Sequence, residues 1–329
     1  MRACNKTFMA AAAALIAAAA AFAGALWTAA ARAEEYPSRP VHLIVPFPPG
    51  GPLDISGRLI AQTLQQLWKQ PVIVENKPGS TIGTEALARS PADGYSLMII
   101  SSTPLLTLPH LQRVPYDVLR DFAAVCQTTL LTYVLVVNPG AGIGSLQDLL
   151  DQARRSPGRL NYASAGNGSG QHLYMELLKN AAGIQLTHIP YKGAAAALQS
   201  VVSGEVPMML DVTVAALPLV KNGTLRPIMV TGSRSIEALP GAVPFDRVFP
   251  GLGIPGWHGI FAPGGTPQAV VAKIAAGVQQ VLAAPAVAER FRELGVEPSG
   301  VAGEAFQAIV RHDYERWGDI IRANGLRSD

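Results

Sequence analysis

Apolar and polar positions along this chain repeat one unit: a short β-branched or apolar run, a Gly/Ser/Pro loop, and a segment of helical period. The first copy is Val41 to Phe47, a loop from Pro48 to Leu53, and a helix from Asp54 to Trp68 with Ile55, Leu59, Ile60, Leu64 and Leu67 on one face. Further strands are predicted at Val72 to Val74, Ser96 to Ile100 and Tyr133 to Val137. In the second half, Leu160 to Ser164 leads through Ala165 to Gly170 into a helix carrying Leu173, Leu177 and Leu178. Leu186 to Ile189 then leads through Pro190 to Gly193 into Ala194 to Val202, and Pro207 to Leu210 reads as another strand. This alternation predicts an α/β protein with parallel sheets.

The same pattern suggests two lobes. A strand ending at Val137 runs into the glycine-rich Gly140 to Ser145, so a second lobe is expected to begin there. It is expected to end near Trp257 to Pro263, a strand-like run that precedes helices at Pro267 to Leu282 and Gly303 to Ala323. Lobe 1 is then residues 34–136 plus 257–329 and lobe 2 is residues 137–256, joined by two crossing strands with a cleft between them.

Residues 1–33 fall outside this pattern and read as a secretory signal. Arg2 and Lys6 are a basic start, Phe8 to Leu26 is alanine-rich and apolar, and Ala31-Arg32-Ala33 fits the small-x-small cleavage rule. Cleavage is expected after Ala33, with an uncleaved anchor as the alternative. The cut changes the charge: Arg2, Lys6 and Arg32 take Lys+Arg from 26 to 23, against 23 Asp+Glu. The remaining chain is formally neutral and has no basic stripe with interleaved aromatics, which argues against a nucleic-acid partner. It has no apolar run of membrane-spanning length after residue 34, so a soluble, exported protein is expected. Of two cysteines, Cys4 leaves with the signal and Cys126 stands alone in an apolar stretch, as a buried small hydrophobe.

Catalytic chemistry is scarce. Gly50-Gly51 opens a helix after a strand, but no Gly-Lys-Ser/Thr follows, so a P-loop is absent. Gly140 to Gly144 is not G-x-G-x-x-G, and Tyr162 to Gly166 has Tyr where a nucleophile elbow needs glycine. The histidines, at positions 42, 110, 172, 188, 258 and 312, show no metal-type spacing, and the pairs Asp148/Asp151 and Glu289/Glu293 read as solvated helix faces. No catalytic residue, metal or cofactor is expected, and the chain is read as a non-enzyme.

What remains is two strand–glycine loop–helix turns, at Pro48 to Pro52 and Ala165 to Gly170. Such a turn aims backbone N–H groups and the positive end of a helix dipole into a crevice, a setting for a carboxylate. Hydrogen bonds to a charged group are worth about 1.5–3 kcal/mol each and a helix terminus about 0.3–1. Four such contacts approach the ~8 kcal/mol of a micromolar complex before ordering costs. The candidate ligand-binding residues are Phe47, Gly50, Gly51, Leu53 and Asp54 in the first lobe, with Ser102 past the third strand. In the second lobe they are Ser164, Gly166, Asn167, Gly168, Ser169, His172, Lys192 and Asp211. Asp54 is open between capping the Gly51 to Ile55 backbone and meeting a ligand; Ser169 and His172 between capping or packing and a ligand; Lys192 between solvation and a ligand. Asp211 is open between cap and contact, and Phe47 between core and lid.

At these same residues the chain resembles the substrate-binding receptors of tripartite tricarboxylate transporters, the Bug (Bordetella uptake gene) family. The resemblance runs through Pro46 to Gly51 with Asp54 and Arg58, Val74 to Gly79, Pro91 to Tyr95, and Pro115 to Asp117. It continues through Tyr162 to Ser169 with His172-Leu173, His188 to Gly193, Asp211, Leu225 to Pro227, and Ala262 to Pro267. It implies a periplasmic-binding-protein-like fold of type II, two α/β lobes closing on a small carboxylate held through backbone groups and bridging waters. It also implies a monomeric periplasmic receptor that delivers this ligand to a large and a small membrane subunit. A sensor that docks a membrane signalling protein is the alternative. Three departures stand out: Leu53 where small or polar residues are common, a short Pro78 to Thr81 segment, and Trp257-His258 in place of Trp-Phe or Trp-Tyr. Leu53 would favour a more apolar acid.

Overall fold

The computed structural model describes residues 36–232, 235–293, 296–323 and 325, so the predicted signal segment lies outside the described residues. Pro40–Asp329 forms one compact unit, distinct from Met1–Arg39.

Within that unit the strand–loop–helix repeats become two six-stranded sheets. The first half contributes β1 (Val41–Val45), α1 (Pro52–Trp68), β2 (Val72–Asn76), α2 (Ser80–Ala88), β3 (Ser96–Ser101), α3 (Ser102–Leu111) and β4 (Phe122–Leu131). The chain continues through β5 (Tyr133–Val137), α4 (Leu146–Arg155), β6 (Asn161–Ser164), α5 (Gly170–Ala182), β7 (Thr187–Pro190), α6 (Ala194–Val202), β8 (Met208–Val212), α7 (Thr213–Lys221) and β9 (Arg226–Val230). It ends with β10 (Val243–Pro244), α8 (Phe245–Val248), β11 (Gly256–Pro263), α9 (Gln268–Ala283), α10 (Pro285–Glu293), β12 (Glu297–Pro298) and α11 (Gly303–Ala323). The strand orders are β12-β4-β11-β3-β1-β2 and β10-β9-β5-β8-β6-β7.

The sheets are mixed, which corrects the expectation of parallel ones. β1 pairs in parallel with β2 and β3, and β6 with β7 and β8, as strand–helix–strand units require. β11 is antiparallel to β3 and β4, and β5 to β8 and β9. The antiparallel strands are those at which the chain changes sheets: β4 lies in the first sheet, and one residue later β5 lies in the second. The expected lobe boundary after Val136 therefore cuts a strand, because Tyr133 to Val136 pair with β8 and β9 in the second sheet. The change of sheet occurs at Thr132, whose carbonyl accepts from the Thr213 N–H at 2.8 Å and the Thr213 hydroxyl at 2.7 Å. Tyr133 N–H donates to Thr231 Oγ1 at 2.9 Å, and Thr231 N–H returns to the Tyr133 carbonyl.

Apolar runs are buried on both faces of each sheet, as the helical cover demands. All eight residues of β11 and all five of β5 are buried. The second sheet gathers Val134, Val136, Ala163, Val201, Met209 and Val230 into one core. Trp257, Phe261 and Phe306 pack together where α11 crosses the first sheet, and Trp257 Nε1 donates to Asp313 at 2.8 Å. Cys126 is fully buried on β4, and burial pushes its thiol up to about 12. Among the described residues no single helix is long and apolar enough to cross a membrane.

Candidate ligand site

The carboxyl ends of β1, β2, β3, β7 and β8 each feed a helix whose first turn has no side-chain cap. Their leading amides are orphans of the helix and are not taken up by a capping side chain. Parallel strands put these helix starts on one edge of each sheet, the edge where open α/β sheets bind ligands.

In the first lobe the loop ahead of α1 is shaped by one buried carboxylate. Asp54, 2% exposed, accepts the Gly50 N–H at 2.9 Å, Arg58 Nε at 2.9 Å and Asn76 Nδ2 at 2.8 Å. Asn76 also donates to the Phe47 carbonyl at 3.2 Å and accepts from Arg58 Nη2 at 2.8 Å. Burial opposes ionisation of Asp54, but bonds from Arg58, Gly50 and Asn76 outweigh it and hold its carboxyl below the usual aspartate value. The donors around Asp54 thus come from the protein, and the loop runs Phe47 half-buried, Gly50 exposed, Gly51 half-buried and Leu53 buried.

In the second lobe the glycine loop rests on a serine hydroxyl and two histidine rings. Ser164, fully buried, accepts the Gly166 N–H at 3.0 Å and lies 2.6 Å from His188 Nε2. His172, 1% exposed, accepts the Gly168 N–H on Nδ1 at 3.2 Å. Ser169 caps α5 by accepting the His172 N–H at 3.3 Å. Gly168 has φ +73°, a left-handed conformation that glycine adopts freely. Gly170 is needed for a different reason: a Cβ there would fall 2.6 Å from the Tyr133 hydroxyl and 3.3 Å from Thr103 Oγ1. That contact brings the second-lobe loop against the first turn of α3.

Asp211 is the last residue but one of β8 on the same edge, 1% exposed. Its Oδ1 accepts the Val212 N–H at 2.8 Å, while its Oδ2 is buried with no hydrogen-bond partner among the described residues. Burial pushes its carboxyl up to about 7, offset in part by Val212 and Gln171. Ser102 is buried and its hydroxyl accepts the Trp257 N–H at 3.1 Å, tying α3 to β11. Lys192 and Asn167 are exposed. The structure therefore gathers the candidates at the strand ends, but Asp54, Ser164, Ser169, His172 and Ser102 all bond to backbone that shapes the edge. Sequence reasoning passed over Asn76, His188 and Glu176 as site residues, because their roles are contacts across strands and turns that spacing does not record. Among the described residues no group of three or more His, Cys, Asp or Glu is placed to hold a metal ion.

Two mixed sheets, chain crossings between them and uncapped helix starts on one edge define a periplasmic-binding-protein fold. Residues 57–326 match the family described as tripartite tricarboxylate transporter family receptor, and the chain belongs to that family. A Pseudomonas sp. (strain P51) protein from the tcbD-tcbE intergenic region is 35% identical over 89% of both chains. Bordetella pertussis BugT is 33% identical over 90% of this chain and 92% of its own. Among solved structures, the periplasmic binding protein BugD has a TM-score of 0.78 at 31% identity, covering 89% of this chain and 100% of its own. Rhodopseudomonas palustris Rpa4515 with adipate gives 0.78 at 31%, covering 89% and 99%. MatC of the same organism with bound malate gives 0.74 at 29%, covering 87% and 100%.

Proposed function

We propose that this chain is a periplasmic receptor that captures a small carboxylate between its two lobes and passes it to the membrane subunits of a tripartite transporter. The observation that carries the reading is the pair of glycine loops at strand ends, each braced through its backbone N–H groups by side chains of the same lobe. The ligand's charge is met by amides and helix termini, with Gly51, Leu53 and the Gly166 to Gly170 segment as the contacts and Asp54, Ser164 and His172 as their supports. The lobes are Pro40 to Leu131 with Gly256 onward, and Tyr133 to about residue 255. Export after cleavage at Ala33, a monomeric state and the absence of turnover complete the proposal. The adipate and malate of the two related structures support the ligand class.

The test is thermal unfolding of the chain from Glu34 with malate, adipate and their uncharged diamides. An acid at one hundred times its Kd adds about 2.7 kcal/mol of stability and the diamides add none. Deletion of the gene is expected to abolish uptake of the same acid. A chain that no mono- or dicarboxylate stabilises is not this receptor.

A further inference from the structure

The second-lobe loop is held from beneath by three stacked rings. Tyr162 and His188 lie 4.9 Å apart at 17°, and His188 and His172 lie 4.1 Å apart at 11°. Each imidazole serves one glycine amide, His188 through Ser164 to Gly166 and His172 directly to Gly168. An imidazole nitrogen accepts a hydrogen bond only when it carries no proton. The bond from Gly168 therefore makes His172 the neutral tautomer with its proton on Nε2. On that side Glu176 Oε1 lies 3.9 Å away, too far for a hydrogen bond to the neutral ring but within ion-pair range. Glu176 is itself fixed by the Tyr162 hydroxyl at 2.6 Å and by Lys179 Nζ at 2.6 and 2.8 Å.

Resting on the reading of this loop as a carboxylate contact, we propose that His172, stacked on His188, is a positioning residue. Its unprotonated Nδ1 sets the Gly166 to Gly170 backbone, and protonating the ring releases Gly168 and weakens carboxylate binding. The groups around the ring fit this device. β6 contributes Tyr162, β7 contributes His188, and α5 contributes Glu176 with Lys179 beyond it. β8 contributes Asp211, which faces Gln171 one residue before His172. His188 opposes a second charge in the stack, and Glu176, which Lys179 already pairs, lies within ion-pair range of an imidazolium at His172. Protonation thus removes the acceptor that Gly168 uses on Nδ1, while the added positive charge has Glu176 on the Nε2 side of the ring.

The experiment is NMR of the ligand-free chain from Glu34, labelled with ¹⁵N in histidine and glycine and titrated from pH 8 to 4.5. His172 is expected as the Nε2–H tautomer at pH 8, with the Gly168 amide resonance moving along the ring's own titration. Malate affinity is expected to fall about three- to tenfold across that titration, the scale of one hydrogen bond. His172→Phe keeps a ring in the stack without an acceptor, and is expected to lose this step while keeping the step from malate's own ionisation. His172→Gln, whose amide oxygen replaces Nδ1, is expected to restore affinity without the pH step. An Nδ1–H tautomer, a Gly168 amide indifferent to the ring, or an unchanged pH profile in His172→Phe overturns the proposal. A chain that shows the NMR signature but binds neither malate nor adipate overturns the receptor reading and supports the brace.

Discussion

Each lobe buries one aspartate at its strand-end edge and treats it oppositely. Asp54 receives three donors and is held ionised; Asp211 has the Val212 N–H on Oδ1 and Gln171 beside it, has no hydrogen-bond partner on Oδ2 among the described residues, and is pushed up to about 7. Burial opposes ionisation at both; at Asp54 it is outweighed by the hydrogen bonds and the Arg58 charge, and at Asp211 the bonds from Val212 and Gln171 do not outweigh it. A buried carboxylate braces a loop only where the fold surrounds it with N–H groups. In the second lobe the same task falls to Ser164 and the imidazoles, which bring no fixed charge.

The contrast is open to substitution. Asp54→Ala strips the acceptor from Gly50, Asn76 and Arg58, and urea unfolding at pH 7 should show a loss of about 2–4 kcal/mol. Because the folded pKa of Asp54 is lowered, that contribution is present above the ordinary aspartate value and disappears as pH falls through the folded one. Asp211→Asn should do the reverse and stabilise by about 1–3 kcal/mol at pH 8, since the amide keeps an acceptor for Val212 without the buried charge. For an acid whose folded pKa is raised, the native state binds the extra proton, so wild-type stability falls as pH rises from about 4 and levels off above about 7. The gap between Asp211→Asn and wild type should therefore widen across that window in unfolding curves taken at pH 4 and pH 8. Gly170→Ala forces a methyl against the Tyr133 hydroxyl, an expected cost of about 2 kcal/mol by the same measurement. Ser164→Ala leaves the Gly166 N–H without its acceptor, for about 1 kcal/mol, and should weaken carboxylate binding in titration calorimetry. Arg58→Lys, at a half-exposed side chain, should cost the least of the series by the same unfolding curves.

Much of this edge was legible in the sequence. The loops at Pro48 to Leu53 and Ala165 to Gly170 announce themselves through proline, glycine and a following helical period, and both lie where strand ends meet helix starts. Asp54 and Ser169 stood at cap positions and took capping or bracing roles. β4 was not legible as a strand: Ala123 to Leu131 is buried nearly throughout, and a buried strand shows no alternation of apolar and polar positions. β5 and β11 were legible as strands, but their antiparallel direction was not, because a buried apolar run carries no direction. The stack of Tyr162, His188 and His172 joins residues far apart in sequence, and only the β6–β7 register, Tyr162 opposite His188, makes it.

The joint at Thr132 has a mechanical consequence. Its carbonyl and both backbone groups of Tyr133 are bonded by Thr213 and Thr231, which belong to the second lobe. Leu131 pairs with Gly256 in the first sheet. Any rotation of one lobe against the other along this strand is therefore concentrated in the single peptide between Leu131 and Thr132. With β4 about 33 Å long, a bend of about 10° at that axle moves the far end of the strand by about 6 Å.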